Sequence, residues 1–270
     1  MVTDQFQQGV EETYRALEPL TLLAKRPTAS LESLERLREA SRVIATNPPS
    51  DVVSAFLPDD PGSYGTIEEL RAVALACVKC SHLVASRTGV VFGVGNPRAE
   101  IMFVGEAPGA DEDVQGEPFV GRAGQLLTKI ITAMGFTRDE VFIANVLKCR
   151  PDMPKGSTGN RKPTASEMST CLPWLERQIE LIRPKVLVAL GGTALEGLLG
   201  APELISRARG RWRDFRSIPV MPTYHPSFLL RGERLEDKRK VWEDMLLVLE
   251  KIGRPISEKQ RRYFTAAGGS

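Results

Sequence analysis

Apolar positions along the chain fall into two alternating periods. Short, mostly apolar runs at Ile101-Met102-Phe103-Val104, Val141-Phe142-Ile143-Ala144, Lys185 to Leu190 and Pro219 to Tyr224 read as buried strands. Between them apolar residues recur at helical spacing: Leu126, Leu127, Ile130, Ile131 and Met134 after the first run, and Leu235, Trp242, Met245, Leu246, Leu249 and Ile252 after the last. Two capping-box patterns, Thr66 to Glu69 and Thr164 to Glu167, open further helices, the second running through Ile182 until Pro184 stops it. A short helix follows Gly191-Gly192. Strands alternating with helices predict an α/β fold, a three-layer α/β/α arrangement on a central four-stranded parallel sheet covered on both faces.

The ends of the chain carry other patterns. Residues 1–46 predict a helical N-terminal extension of two helices, one built on Phe6, Val10, Tyr14 and Leu17, the other on Leu31, Leu34, Leu37 and Val43. Residues 47–65 are dense in proline, glycine and aspartate and read as a linker. The main domain spans 66–253, and 254–270 reads as a polar, flexible tail.

A parallel sheet keeps its ligands beyond the carboxyl ends of its strands. Glu106, Asn145, Gly191 and His225 each lie just past such an end, so four separate segments are expected to converge there. The richest of them is GEAPGADEDVQGEPFVGRAG, from Gly105 to Gly124, which holds Glu106, Asp111, Glu112, Asp113 and Glu117 beside one aromatic, Phe119. Its glycines let backbone approach a ligand closely. A solvated acidic loop would have the same composition.

Bulk composition narrows the picture only a little. The chain has 270 residues and a net charge of +2, which announces no nucleic-acid partner by itself. No apolar run spans a bilayer and the N-terminus resembles no leader peptide, so no membrane association and a cytoplasmic location are expected. One basic cluster stands out. Arg207, Arg209, Arg211 and Arg213 share one face if their segment is extended, either as a DNA-backbone contact or as a solvated edge strand.

Three candidate chemistries remain. Cys77-x-x-Cys80 is a chelating pair, and Cys149 and Cys171 follow after gaps of 68 and 21 residues. In a reducing compartment a site of four cysteine ligands, for zinc or an iron–sulfur cluster, accounts for them better than disulfides, although two buried thiols beside a chance CxxC would look the same. His225 stands in Tyr224-His225-Pro226-Ser227, one of two histidines in the chain, at a loop where a structural role is equally open. Asn145 offers a donor and an acceptor in one plane, complementary to the O4 and N3–H edge of uracil and mismatched to cytosine. It would also serve as a plain turn residue.

GEAPGADEDVQGEPFVGRAGQLL, ANVLKCRP at 144–151 and TYHPSFLLR at 223–231, with the four cysteines, resemble the motifs of the family 4 uracil-DNA glycosylases, the iron–sulfur type of bacteria and archaea. The resemblance covers roughly residues 66–253. It implies a repair enzyme of base excision that flips deoxyuridine out of single- or double-stranded DNA, hydrolyses the N-glycosidic bond, releases free uracil and leaves an abasic site. By the resemblance, Phe119 stacks on uracil, Asn145 reads its edge, and His225 stabilises negative charge at O2. Glu106 leads as the carboxylate that orients water or the cationic sugar, with Asp111 second. Glu112 would close the space beside C5. Cys77, Cys80, Cys149 and Cys171 match the ligands of a [4Fe–4S] cluster that fixes loops near DNA. Ser227, Arg231, Arg209 and Arg211 would contact the DNA backbone, with Phe228 or Leu229 as a wedge, in a monomer acting at the bacterial nucleoid.

Two departures qualify this. Ala107 stands where better-known glycosylases carry a water-activating aspartate, leaving that role to another carboxylate. The segment PDMPKGSTGNRKPT, 151–164, is longer than the family leads one to expect, and it carries Lys155, Arg161 and Lys162 but no histidine. A related group that attaches covalently to DNA has a histidine there, so turnover without an adduct is expected. A non-catalytic or covalent uracil-DNA-binding protein using the same pocket is the alternative. A nucleotide-phosphate site on the 105–124 glycines fits poorly, because the loop lacks both GxGxxG spacing and a Gly-Lys-Ser/Thr.

Overall fold

Each capping box forms as its sequence predicts. In the computed structural model, which describes residues 61–154, 159–232 and 234–265, helix α1 (Ile67–Leu75) starts where Thr66 Oγ1 accepts the Glu69 N–H and Glu69 returns a carboxylate to the Thr66 N–H, at 3.2 Å each. The expected helices in 1–46, the linker up to residue 60 and the last five residues lie outside the described set. In chain order there follow α2 (Ser81–Val84), β1 (Val94–Gly95), β2 (Ile101–Gly105), α3 (Ala110–Gln115), α4 (Arg122–Ala133) and β3 (Phe142–Asn145). Then come α5 (Ala165–Ile182), β4 (Val186–Leu190), α6 (Gly192–Leu199), α7 (Ile205–Ala208), β5 (Arg213–Phe215), β6 (Ile218–Thr223), α8 (Pro226–Gly232), α9 (Leu235–Lys251) and α10 (Glu258–Arg261).

The sheet is mixed and six-stranded, in the order β1-β3-β2-β4-β6-β5. This corrects the four-stranded parallel expectation. The four anticipated strands pair in parallel at the centre, but β1 and β5 add antiparallel edges. Both edges are only two or three residues long, too short for a period-two pattern to register in the sequence. Alternation along the central strands divides the core. Met102, Val104, Ala144, Leu187 and Val220 pack with α1, α5 and α6, while Ile101, Phe103, Ile143, Val188 and Met221 pack with α4 and α9. No helix among the described residues is long and apolar enough to cross a membrane.

Two further expectations change. Residues 205–208 are helical, so the four arginines share no extended face. The stretch after Gly253 is not frayed as far as residue 265: Trp242 Nε1 donates to Gln260 O at 2.6 Å, Arg239 donates to the carbonyls of Arg261 and Tyr263, and Gln260 Nε2 reaches Ala133 O at 2.9 Å.

Candidate active site and cysteine centre

Register brings the strand ends together. Gly105 pairs with Asn145 and Leu190 with Thr223, so the residues that follow all open onto one edge. There a cavity of about 480 Å³ is lined by Glu106, Glu112, Phe119, Asn145, Gly191, His225 and Arg231 among others. The segments expected to converge do so. Asp111 does not line the cavity and is exposed, which leaves Glu106 as the carboxylate at the mouth of β2.

Asn145 is 2% exposed, yet its Oδ1 has no hydrogen-bond partner. A buried acceptor without a donor costs about 1–3 kcal/mol, so the site is incomplete until something supplies an N–H. Gly105 makes the space for it: a Cβ there would run into both Asn145 Oδ1 and the Phe119 ring. Phe119 itself is held at φ 56°, a left-handed conformation costing a bulky residue about 1–3 kcal/mol. Gly124 sits directly under its carbonyl, and Arg138 donates to Pro118 O beside it.

Glu112 is a clamp on this loop. One oxygen accepts the Gly109 N–H at 3.0 Å, the other the N–H groups of Val120 and Gly121 at 3.0 and 3.1 Å. Its neighbour Asp113, to which the sequence assigned no role, is buried and accepts the Thr88 N–H with both oxygens. The acids thus divide: Glu106 and Glu112 line the cavity, Glu112 and Asp113 anchor backbone, and Asp111 and Glu117 are exposed.

The tautomer of His225 follows from its partners. Ser227 N–H donates to Nδ1 at 3.1 Å, with Ser227 Oγ 2.8 Å from the same nitrogen, so the ring proton belongs on Nε2. Burial, reinforced by Arg231 and opposed by Glu112, pushes its pKa down to about 4. The imidazole is therefore a neutral donor at physiological pH, its ring 5.5 Å from that of Phe119.

The DNA-facing candidates separate. Phe228 is exposed and stacks on Tyr224 at 4.6 Å, and Leu230 beside it is also exposed. Leu229 is 5% exposed and points into the protein, which removes it as a wedge. Arg209 is committed elsewhere: its guanidinium pairs with Asp244, which is fully buried and also accepts from Thr223 Oγ1 at 2.6 Å. Burial raises Asp244 to about 6, with Thr223 and Arg209 pulling it back. Arg213 pairs with Glu203, and of the four arginines Arg207 and Arg211 are exposed.

The four cysteines line a second cavity with Arg87, Lys148 and Trp174. None is in a disulfide. Burial pushes the Cys171 thiol up to about 12 and raises Cys149 and Cys80, so as bare thiols they stay protonated. Arg87 donates to Cys149 Sγ at 2.9 Å and the Lys148 N–H to Cys171 Sγ at 3.2 Å. Trp174 lines the same cavity, and its Nε1 is buried without an acceptor. Four sulfurs with N–H donors around them, and one spare donor, fit a soft, anionic, thiolate-bound metal group. Burial also lowers Lys148 to about 7, with Cys171 and Cys149 pulling the other way. Sequence reasoning passed over Arg87, Lys148 and Trp174, since each looks like an ordinary charge or core residue until the fold brings it to the sulfurs.

His82, Asp152 and Glu167 also approach one another. Arg161 donates to both carboxylates, and this contact, foremost among several, holds Glu167 down at about 2. The group is an ion-paired brace that ties Asp152 and Arg161 of the 151–164 segment to the start of α5, and Arg161 also lines the strand-end cavity.

An α/β fold with a cavity past its parallel strands, an orphaned amide and a neutral imidazole defines a class, and comparison places it: the profile of the uracil DNA glycosylase superfamily matches residues 92–246. Within that superfamily the chain belongs to the type-4 uracil-DNA glycosylases. It is 40% identical over 209 residues to the type-4 enzyme of Archaeoglobus fulgidus, covering 74% of this chain and 98% of that one. With the type-4 enzyme of Thermotoga maritima it shares 46% over 171 residues, 63% and 85% of the two chains. A type-5 enzyme of Pyrobaculum aerophilum is more distant, at 30% over 184 residues, 56% of this chain and 78% of that one.

Proposed function

We propose that the protein releases uracil from DNA by hydrolysing the N-glycosidic bond of deoxyuridine, leaving an abasic site for repair. The observation that carries this is the partnerless Asn145 Oδ1 in a cavity shared with Phe119 and His225. Uracil N3–H supplies the missing donor while the amide N–H groups face O4. Cytosine presents an acceptor at N3 and would leave Oδ1 unsatisfied, the kind of mismatch that buried polar sites reject strongly.

In this reading the remaining side chains take the following roles, which their positions support. Phe119 offers one π face for a flipped base. The His225 Nε2–H donates to O2 as negative charge grows there, an oxyanion-type contact whose removal costs about 10²–10³ in rate. Glu106 orients water or balances the cationic sugar. Glu112, held by three backbone N–H groups, forms a stiff wall suited to excluding the methyl group of thymine. Ser227, Arg231 and Arg211 meet backbone phosphates, and Phe228 fills the vacated stack.

Cys77, Cys80, Cys149 and Cys171 hold a [4Fe–4S] cluster in this reading. When bound, the cluster supplies a rigid cross-link between three segments, since hydrolysis calls for no electron transfer. The protein acts as a monomer on DNA at the nucleoid.

The test is incubation with uracil-containing single- and double-stranded oligonucleotides, then alkali, with thymine, cytosine and hypoxanthine controls. Cleavage at uracil with free uracil released supports the reading, and intact uracil strands refute it. A protein–DNA band surviving denaturing electrophoresis would instead favour the covalent alternative.

A further inference from the structure

Lys148 lies between the two cavities and touches elements of both. It is 1% exposed. Its Nζ donates to Asn145 O at 2.9 Å and to Gln178 Oε1, and Gln178, itself wholly buried on α5, passes its Nε2–H to Phe92 O at 2.9 Å. Its backbone N–H is the donor to Cys171 Sγ, its carbonyl accepts the Val91 N–H at 2.8 Å, and the next residue is Cys149. Lys148 is therefore fixed twice, its backbone N–H on the sulfur centre and its side chain on the peptide of the residue that reads the base.

The Asn145 carbonyl is at the last position of β3, where the strand ladder hands over to the turn at Val146 and Leu147. A buried carbonyl there needs a donor, and Lys148 Nζ supplies one. The orientation of that peptide sets where the Asn145 side chain starts, and hence where Oδ1 points.

We propose that Lys148 is a positioning residue that makes the base-reading geometry of Asn145 depend on metal being held by Cys149 and Cys171. The inference rests on the uracil reading of the cavity and deepens it. Loss of the metal group loosens the 145–149 turn, and with it the amide, while surfaces that grip DNA backbone are untouched.

The test compares wild type with Lys148→Met, which keeps length and apolar volume but removes the three donors of Nζ. Iron content and the visible spectrum report the sulfur centre. Equilibrium binding of free uracil reports the pocket, and binding of an abasic duplex reports the DNA surface. The expected result is normal iron content and abasic-DNA affinity with free-uracil affinity weakened about tenfold to a hundredfold, the usual cost of leaving a buried acceptor without its donor. Unchanged uracil affinity in an iron-replete variant overturns the proposal. If Lys148→Met does not take up iron, Gln178→Met decides, because it removes an Nζ partner without altering a neighbour of the cysteines. Weakened uracil binding in it supports the coupling, and unchanged binding overturns it. Failure of both variants to hold iron also overturns it, since Lys148 would then serve the sulfur centre alone. Wild type that neither binds uracil nor releases it sinks the functional reading itself, whereas wild type and variants that behave alike sink only the coupling.

Discussion

Gly105→Ala should disable the pocket while leaving a folded protein. An added Cβ would sit 2.5 and 2.6 Å from Phe119 Cζ and Cε2, about 1 Å inside ordinary contact, and would also strike Asn145 Oδ1. The ring cannot yield easily, because Phe119 is already in a strained left-handed conformation, with Gly124 beneath its carbonyl and Arg138 bonded to its neighbour. Nor can β2 slide, since Gly105 is paired with Asn145 on one side and its strand with β4 on the other. Overpacking of this kind costs about 1–3 kcal/mol, or roughly 2–12 °C in melting temperature for a domain of this size. The function should suffer more. Displacing the ring removes a stacking contact of about 1–3 kcal/mol per base and disturbs the amide at once, so kcat/KM should fall by about a hundredfold or more. Uracil-release kinetics, with free uracil as a competing ligand and a thermal melt in parallel, measure both effects. A variant with kcat/KM within twofold of wild type would show that the Gly105, Asn145 and Phe119 contacts do not bound the base site.

Other perturbations follow from single groups. His225 has a folded pKa of about 4 against an ordinary 6.5, so its native state binds fewer protons than the unfolded chain between those values, and stability is lost as pH falls through that window. Uracil release should accordingly stay flat from neutral pH down to about 5, and an inflection at 6.5 in folded protein would contradict a neutral imidazole. Phe228→Ala should slow excision from duplex DNA several-fold more than from single strands, because only a duplex has a stack to refill; equal effects on both substrates would remove the wedge role. Leu229→Ala, by contrast, should cost about 2–5 kcal/mol in denaturant melts. Asp244→Ala strands the Arg209 guanidinium and frees Thr223 just before the His225 turn, with an expected loss of about 3–5 kcal/mol of stability, and a melting shift of under 2 °C would count against the pair as a support.

The legible part of this chain was the part written in period and in caps. The four central strands, both capping boxes and the convergence of Glu106, Asn145, Gly191 and His225 follow from apolar runs and from the rule for parallel sheets. Two-residue β1 and three-residue β5 left no pattern to read. The arginine spacing at 207–213 misled, because alternation argues for one face only in extended chain, and Ile205–Ala208 turns helical instead. Asp111 was the second candidate for the carboxylate at the sugar, and Glu112 the expected wall beside C5. Their separation into an exposed group and a loop clamp depends on how the 105–124 loop folds back, which brings the Gly109, Val120 and Gly121 N–H groups to Glu112 and not to Asp111. Lys148 is the clearest case of information absent from one dimension: Asn145 is three positions away, but Gln178 and Cys171 become its neighbours only when α5 packs on the sheet.

The docking of α10 has a practical corollary. Helix α4 ends with carbonyls that its own turns cannot satisfy, and Gln260, from 127 positions further along, lends its amide to Ala133. The C-terminal segment is thus a buckle fastened onto the helix that follows the Phe119 loop. Reporter or affinity fusions belong beyond residue 265, and a version trimmed at Gly253 would unfasten it at the far end from the chemistry.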